Sequence, residues 1–257
     1  MPTIPAAIDD VTPAWMSTVL DTTVTGVTPT RIGEGVGLMG DIYRTELTYD
    51  GDRGEQPASV VVKLPSSAEE NRAQGVSLGM FEAEVRFYSE LGERTGTGLP
   101  QIHLSTIVSG TADFVIVMED LGRLELVDQS EGMSVDQAGA AVRVLADIHA
   151  AWWDKVQTDE LEWIPSMIGP RIEMVDGMLP QIYPIFAAGF EDRLPDGGAE
   201  LAQRFSQSYL RLTKVLAARA PWTLAHQDYR VENMMFGDPA ADEVVVIDWQ
   251  GIGRGPG

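Results

Sequence analysis

His226-Gln227-Asp228-Tyr229-Arg230-Val231-Glu232-Asn233, followed by Val244-Val245-Val246-Ile247-Asp248-Trp249-Gln250, decides how the rest of the chain is read. The first stretch has the spacing H-x-D-x-x-x-x-N. The second is a hydrophobic strand that closes on an aspartate, fifteen residues after Asn233. Asp228 is placed to act as a base beside a hydroxyl. Asn233 offers a neutral oxygen and Asp248 a charged one, the hard ligands that Mg²⁺ takes when phosphates and water complete its shell. Such a set implies phosphoryl transfer. Arg230 is read either as a partner of the transferred phosphate or as a surface arginine paired with Glu232. His226 is expected to brace the loop.

A phosphate-binding reading needs cations and backbone N–H groups elsewhere. Gly35-Val36-Gly37-Leu38-Met39-Gly40 fits G-x-G-x-x-G and lies between two strands. That context suits a flap closing over phosphates and does not suit a dinucleotide site, though an ordinary hairpin has the same pattern. Gly35, Gly37 and Gly40 are the candidate residues. Lysine is scarce, with Lys63, Lys155 and Lys214 the three among eighteen basic residues. Lys63 ends the apolar run Ser59-Val60-Val61-Val62, where its ammonium either meets phosphates as a point charge or faces water. If buried it needs an anionic neighbour. Glu84 is favoured for that over Glu82. Backbone groups at Met118, Glu119 and Leu121 are placed to meet a nucleotide base, unless the segment is a plain linker. His149 and Trp152 read as core residues, and His103 is left without a role.

Composition bounds the remaining possibilities. The chain has 257 residues, no cysteine and a net charge of −21. It offers too few cations for a phosphate backbone, so no nucleic-acid partner is expected. No stretch has the roughly 18–20 apolar residues of a membrane helix. Neither a signal peptide nor a disulfide framework is evident, and the expected location is the cytoplasm.

Along the chain, Thr12 caps a short helix that starts at Pro13 and runs to Leu20. Strands follow over 27–34, 41–49 and 58–64, then a polar connection over 65–75 and an amphipathic helix over 78–91. After a loop over 92–98, a hairpin joins strands at 102–108 and 114–118. Ser134 caps a long helix to about Val156, with Ala138, Val142, Leu145, His149, Trp152 and Val156 on its inward face. The stretch 163–195 reads as irregular with a short helix over 181–190, and 199–219 as one helix. The pattern gives an α+β chain. A nucleotide-binding unit spans 1–118, a hinge 119–122, and a mainly helical unit 123–257. The glycine-rich end after Asp248 reads as an incomplete second lobe.

On His226-Gln227-Asp228, Asn233-Met234-Met235-Phe236 and Ile247-Asp248-Trp249-Gln250, the chain resembles the aminoglycoside phosphotransferase and choline kinase superfamily, with its protein-kinase-like two-lobed fold. It is most similar there to the bacterial ecdysteroid kinase-like group. Val117-Met118-Glu119-Asp120-Leu121 and His149-Ala150-Ala151-Trp152-Trp153 carry the likeness further. The resemblance implies transfer of the γ-phosphate of ATP or GTP, with Mg²⁺, to a hydroxyl of a small molecule. The other reading is a catalytically silent, nucleotide-binding relative acting through partners. A protein kinase is a third, weaker one, since no Ala-Pro-Glu landmark follows Asp248. The substrate stays open: acidic Glu191, Asp192 and Asp196 favour a cation, the apolar residues of 163–190 a hydrophobic alcohol. Oligomeric state is open as well.

Overall fold

The structure, a computed structural model, describes residues 2–33, 39–190, 193–218 and 221–257. Gly35 and Gly37 lie outside them, as do Glu191 and Asp192. The chain forms two compact units, Met1–Ala151 with Asp228–Gly251, and Trp152–Gln227 with Ile252–Gly257. The segment 119–122 falls within the first unit.

In the first unit, strands β1 (Val24–Ile32), β2 (Gly40–Tyr49), β3 (Ser59–Pro65), β4 (Ile102–Ile107) and β5 (Phe114–Glu119) form a sheet in the order β1-β2-β3-β5-β4. All its pairings are antiparallel. This is the five-stranded sheet the sequence leads one to expect. Helix α1 (Pro13–Leu20) covers one face, and Thr12 Oγ1 accepts its cap bond from Trp15 N at 3.2 Å. Met16 of α1 packs there with Val24, Leu47, Val60, Val62 and Leu64. Because side chains alternate along a strand, Lys63 is sent to the opposite face, toward helix α3 (Met80–Arg86).

Several expectations change. The polar connection over 65–75 contains helix α2 (Glu69–Ser77). It has no apolar stripe to signal it. Good helix formers and two glutamates in the first turn support it, and Ser66 Oγ accepts from Ala68 N at 3.2 Å. Gly79, at φ 65°, separates α2 from α3, so no single helix runs over 78–91. α3 passes into a π-helical turn, Phe87–Leu91, and then into α4 (Gly92–Thr95) where a loop is expected.

Ser134 and Gln137 exchange bonds at the start of α5 (Val135–Trp152), a reciprocal cap. The buried face of α5 is not the expected one. Ala140, Ala141, Val144, Ile148 and Trp152 are buried, and Val142 is 63% exposed. Small alanines allow close packing on an arc next to the one marked by the larger side chains. Two short strands, β6 (Glu125–Leu126) and β8 (Met234–Phe236), build a three-stranded sheet with β9 (Val244–Val246). Only β9 is evident from sequence.

The second unit holds α6 (Pro170–Phe190), a continuous helix where irregular chain is expected. Pro180 and Pro184 are four residues apart, so both lost N–H bonds fall on one face, and Gln181 Nε2 donates to Gly177 O at 2.9 Å. The expected single helix over 199–219 is two, α7 (Gly198–Ser206) and α8 (Tyr209–Ala217). Asp176 of α6 accepts from Leu210 N at 2.9 Å in the first turn of α8, doing the work of a cap. The glycine-rich end forms β10 (Gly253–Pro256), which pairs with β7 (Trp222–Ala225). Among the described residues, no helix is long and apolar enough to cross a membrane.

Candidate functional site

Lys63 is buried, and its Nζ donates to both carboxylate oxygens of Glu84 at 2.8 Å. Asp248 Oδ1 stands 3.4 Å from the same nitrogen. Burial works against the lysine's charge, but Glu84 and then Asp248 outweigh it and hold the ammonium above its ordinary range. Burial pushes Glu84 up, with Lys63 pulling the other way. Glu82, the competing candidate, faces elsewhere and accepts from Ser109 Oγ at 2.9 Å. Gly40 leaves room for the lysine stem: a Cβ there would meet Lys63 Cε at 3.2 Å and Leu64 O at 3.0 Å.

Asp248 is fixed by its neighbours in sequence. Gln250 is buried and donates from Nε2 to Glu84 Oε2 at 3.1 Å. Trp249 is fully buried and stacks on Phe87, with centroids 3.8 Å apart and planes at 12°. Phe87 begins the π-helical turn, a feature often found at functional sites. The Tyr88 hydroxyl is driven well above its ordinary range by burial, then by Glu84 and Asp248. Asp248 itself has φ 64° and Gln227 φ 65°, a left-handed backbone rarely held without a purpose.

The loop 228–233 lies at the end of the β8–β9 pair, where Ile247 N donates to Asn233 O at 3.0 Å. Asn233 and Asp248 therefore flank the same end of that pair. Asn233 Nδ2 donates to Asp228 O at 2.9 Å and to Asp228 Oδ2 at 3.0 Å. This fixes the amide so that its nitrogen faces Asp228 and its oxygen is turned away, as a hard cation would need. Among the described residues no cluster of three or more carboxylates and histidines could hold a metal alone. An amide and a carboxylate fit Mg²⁺ that takes its remaining oxygens from phosphates and water.

Arg230 pairs with Glu232 at 2.9 Å and reaches Asp228 Oδ2 at 3.3 Å. Tyr229 donates to Ala141 O at 2.7 Å and anchors the loop on α5. His226 is buried. Burial holds both His103 and His149 below their ordinary range. Met118 and Leu121 are buried, and Glu119 N donates to Gln101 O at 2.8 Å. Sequence reasoning did not reach Gln250, Phe87 or Asp120. Helical spacing in 81–88 and the position of Gln250 two residues after Asp248 were the available signals.

Comparison with known proteins follows the same lines. The model of the ecdysteroid kinase-like family matches residues 34–256. A search of curated proteins gave no match. A choline kinase from Cryptosporidium parvum Iowa II superposes with a TM-score of 0.51 at 10% identity, over 95% of this chain and 62% of that one. The chain thus spans less than two thirds of that kinase. The gentamicin–APH(2″)-IIa complex has a TM-score of 0.48 at 16% identity, covering 100% of this chain and 73% of that one. A macrolide 2′-phosphotransferase type I has 0.44 at 13%, covering 100% and 75%. At such identities the likeness is one of fold, and the choline kinase carries it: the fold is protein-kinase-like. With the family model matched over most of its length, the chain belongs to the ecdysteroid kinase-like family.

Proposed function

We propose that the chain is a kinase that moves the γ-phosphoryl group of ATP or GTP to a hydroxyl of a small molecule. The observation that carries this reading is the buried Lys63, gripped by Glu84 and touching Asp248, in the same compact unit as the Asp228–Asn233 pair. An ammonium buried against two carboxylates is costly to keep unless its charge has a use. Phosphates supply one.

In this reading Lys63 meets the α- and β-phosphates, and backbone N–H groups of the turn ending at Gly40 lie over them, with Gly35 and Gly37 in the same role. Backbone groups of Met118, Glu119 and Leu121 meet the base. Asn233 Oδ1 and the Asp248 carboxylate hold Mg²⁺, which when bound draws negative charge from the phosphates. The substrate hydroxyl gives its proton to Asp228. Its oxygen forms a bond to the γ-phosphorus as the bond to the bridging oxygen breaks, and the nucleoside diphosphate leaves with that electron pair. Arg230, paired with Glu232, steadies the Asp228 carboxylate and balances charge nearby. The acceptor is a small hydroxylated molecule, and the setting is the cytoplasm.

The test is calorimetric titration of ATP with and without Mg²⁺, beside phosphate transfer across a panel of hydroxylated compounds. Wild type should bind ATP in a Mg²⁺-dependent way, and Asp248→Asn should weaken that binding. Asp228→Ala should keep ATP binding but lose about 10²- to 10⁴-fold in turnover. Turnover that survives in Asp228→Ala sinks the mechanism. ATP binding without any transfer would favour a silent relative acting through partners.

A further inference from the structure

Asp120 stands directly after β5, and its carboxylate gathers donors from three places. Ser59 Oγ of β3 donates at 2.6 Å. Arg44 of β2 approaches with Nη2 at 3.0 Å and Nε at 2.9 Å. The N–H of Gly122, two residues on, donates at 3.0 Å. That last bond closes an Asx turn, which sets the backbone of 120–122. A Cβ on Gly122 would come within 2.5 Å of Arg44 Nη2, so glycine is what lets the guanidinium lie over the turn. Partial burial opposes the carboxylate's charge, yet the bonds from Ser59, Arg44 and Gly122 hold its pKa below the ordinary range.

The flanking backbone is tied too. Glu119 N donates to Gln101 O at 2.8 Å, Gln101 N donates to Glu119 Oε2 at 3.2 Å, and Leu124 N donates to Leu121 O at 2.8 Å. An ion pair serving stability alone could sit anywhere on the surface, where it is worth about 0–1 kcal/mol. This one has a mostly buried carboxylate, with side-chain exposures of 12% for Asp120 and 43% for Arg44, and it converges on four residues of backbone. Arg44 also belongs to the strand that begins at Gly40, so one clamp joins the strand behind the glycine-rich turn to the segment after β5.

We propose that Asp120 is a positioning residue for the nucleotide base. Held by Arg44 and Ser59, it sets the backbone of 119–122 in the geometry that meets the base edge. The proposal rests on the nucleotide reading given above. Its signature is specific: loss of the clamp weakens what the base contributes and leaves what the phosphates contribute.

The experiment compares ATP with inorganic tripolyphosphate, both with Mg²⁺, by calorimetry on wild type, Asp120→Asn, Arg44→Gln and Ser59→Ala. Arg44 is half exposed, so Arg44→Gln keeps the test alive should Asp120→Asn fold poorly. Wild type should bind ATP more tightly than tripolyphosphate. Asp120→Asn and Arg44→Gln should each lose about tenfold in ATP affinity, the equivalent of one to two hydrogen bonds, with tripolyphosphate unchanged within about twofold. Ser59→Ala should fall between. If both ligands weaken together, or neither weakens, Asp120 is structural and the proposal fails while the nucleotide reading stands. If wild type binds tripolyphosphate as tightly as ATP, the segment meets no base and that part of the nucleotide reading fails with it.

Discussion

Glu84 has nowhere to send its charge except Lys63 and Gln250, since its side chain is 1% exposed. Removing one partner of a buried ion pair leaves the other uncompensated, typically at a cost of about 3–5 kcal/mol. Glu84→Gln should therefore destabilise the protein toward the lower end of that range, because Asp248 remains 3.4 Å from Lys63. Lys63→Met with Glu84→Leu should recover part of the loss, although it removes the phosphate-binding charge. Urea denaturation of the three variants decides the matter, and a loss under about 1 kcal/mol in Glu84→Gln would mean that water reaches the pair. The positions of Asp228, Asn233 and Asp248 were legible because their spacing is a local pattern. Gln250 was not, because its partner Glu84 lies 166 residues away and no window of sequence holds both. Asp120 escaped for the same reason, with Ser59 61 residues and Arg44 76 residues distant.

The strands of the first unit, and α1 and α5, were legible because each carries a period or a cap. What failed was what lacks an apolar period, as in α2, or what is set by packing between elements. The π-helical turn is of the second kind. Its one extra residue per turn aims Phe87 at Trp249, and nothing in the order Phe87-Tyr88-Ser89-Glu90-Leu91 announces that. If the stack holds the Asp248 segment against α3, Trp249→Ala should cost about 3–5 kcal/mol as a large buried ring is lost. Trp249→Phe, which can still stack, should cost less than half of that. Mg²⁺-dependent ATP binding should weaken in the alanine variant and persist in the phenylalanine one. Equal melting temperatures for the two variants would show the stack to be incidental. The division of 199–219 into α7 and α8 was hidden likewise, because the side chain that caps α8, Asp176, belongs to another helix.

At the scale of the whole molecule, the charge of −21 was legible at once, and its consequence for stability follows from simple electrostatics. Like charges repel more strongly in the compact state than in the expanded one, so the acidity opposes folding. Ion pairs between exposed groups, such as Arg86 with Glu90 at 2.7 Å and Arg143 with Asp242 at 2.6 Å, return little, about 0–1 kcal/mol each. Eighteen basic residues cannot pair thirty-nine acidic ones in any arrangement. Salt should then help more by screening repulsion than it harms by weakening surface pairs. Raising NaCl from about 20 mM to about 500 mM shortens the screening length from roughly 20 Å to roughly 4 Å. The buried Lys63–Glu84 contact, at 2.8 Å and away from water, is screened far less and is kept. A rise of a few degrees in the melting temperature is expected, as for a gain of about 1–2 kcal/mol in a domain of this size. Potassium glutamate in place of NaCl should give the same direction if screening is the cause. A flat or falling melting temperature would mean that the surface pairs outweigh the net repulsion, and that the acidity has been arranged locally for a ligand instead of being spread as a solvating coat.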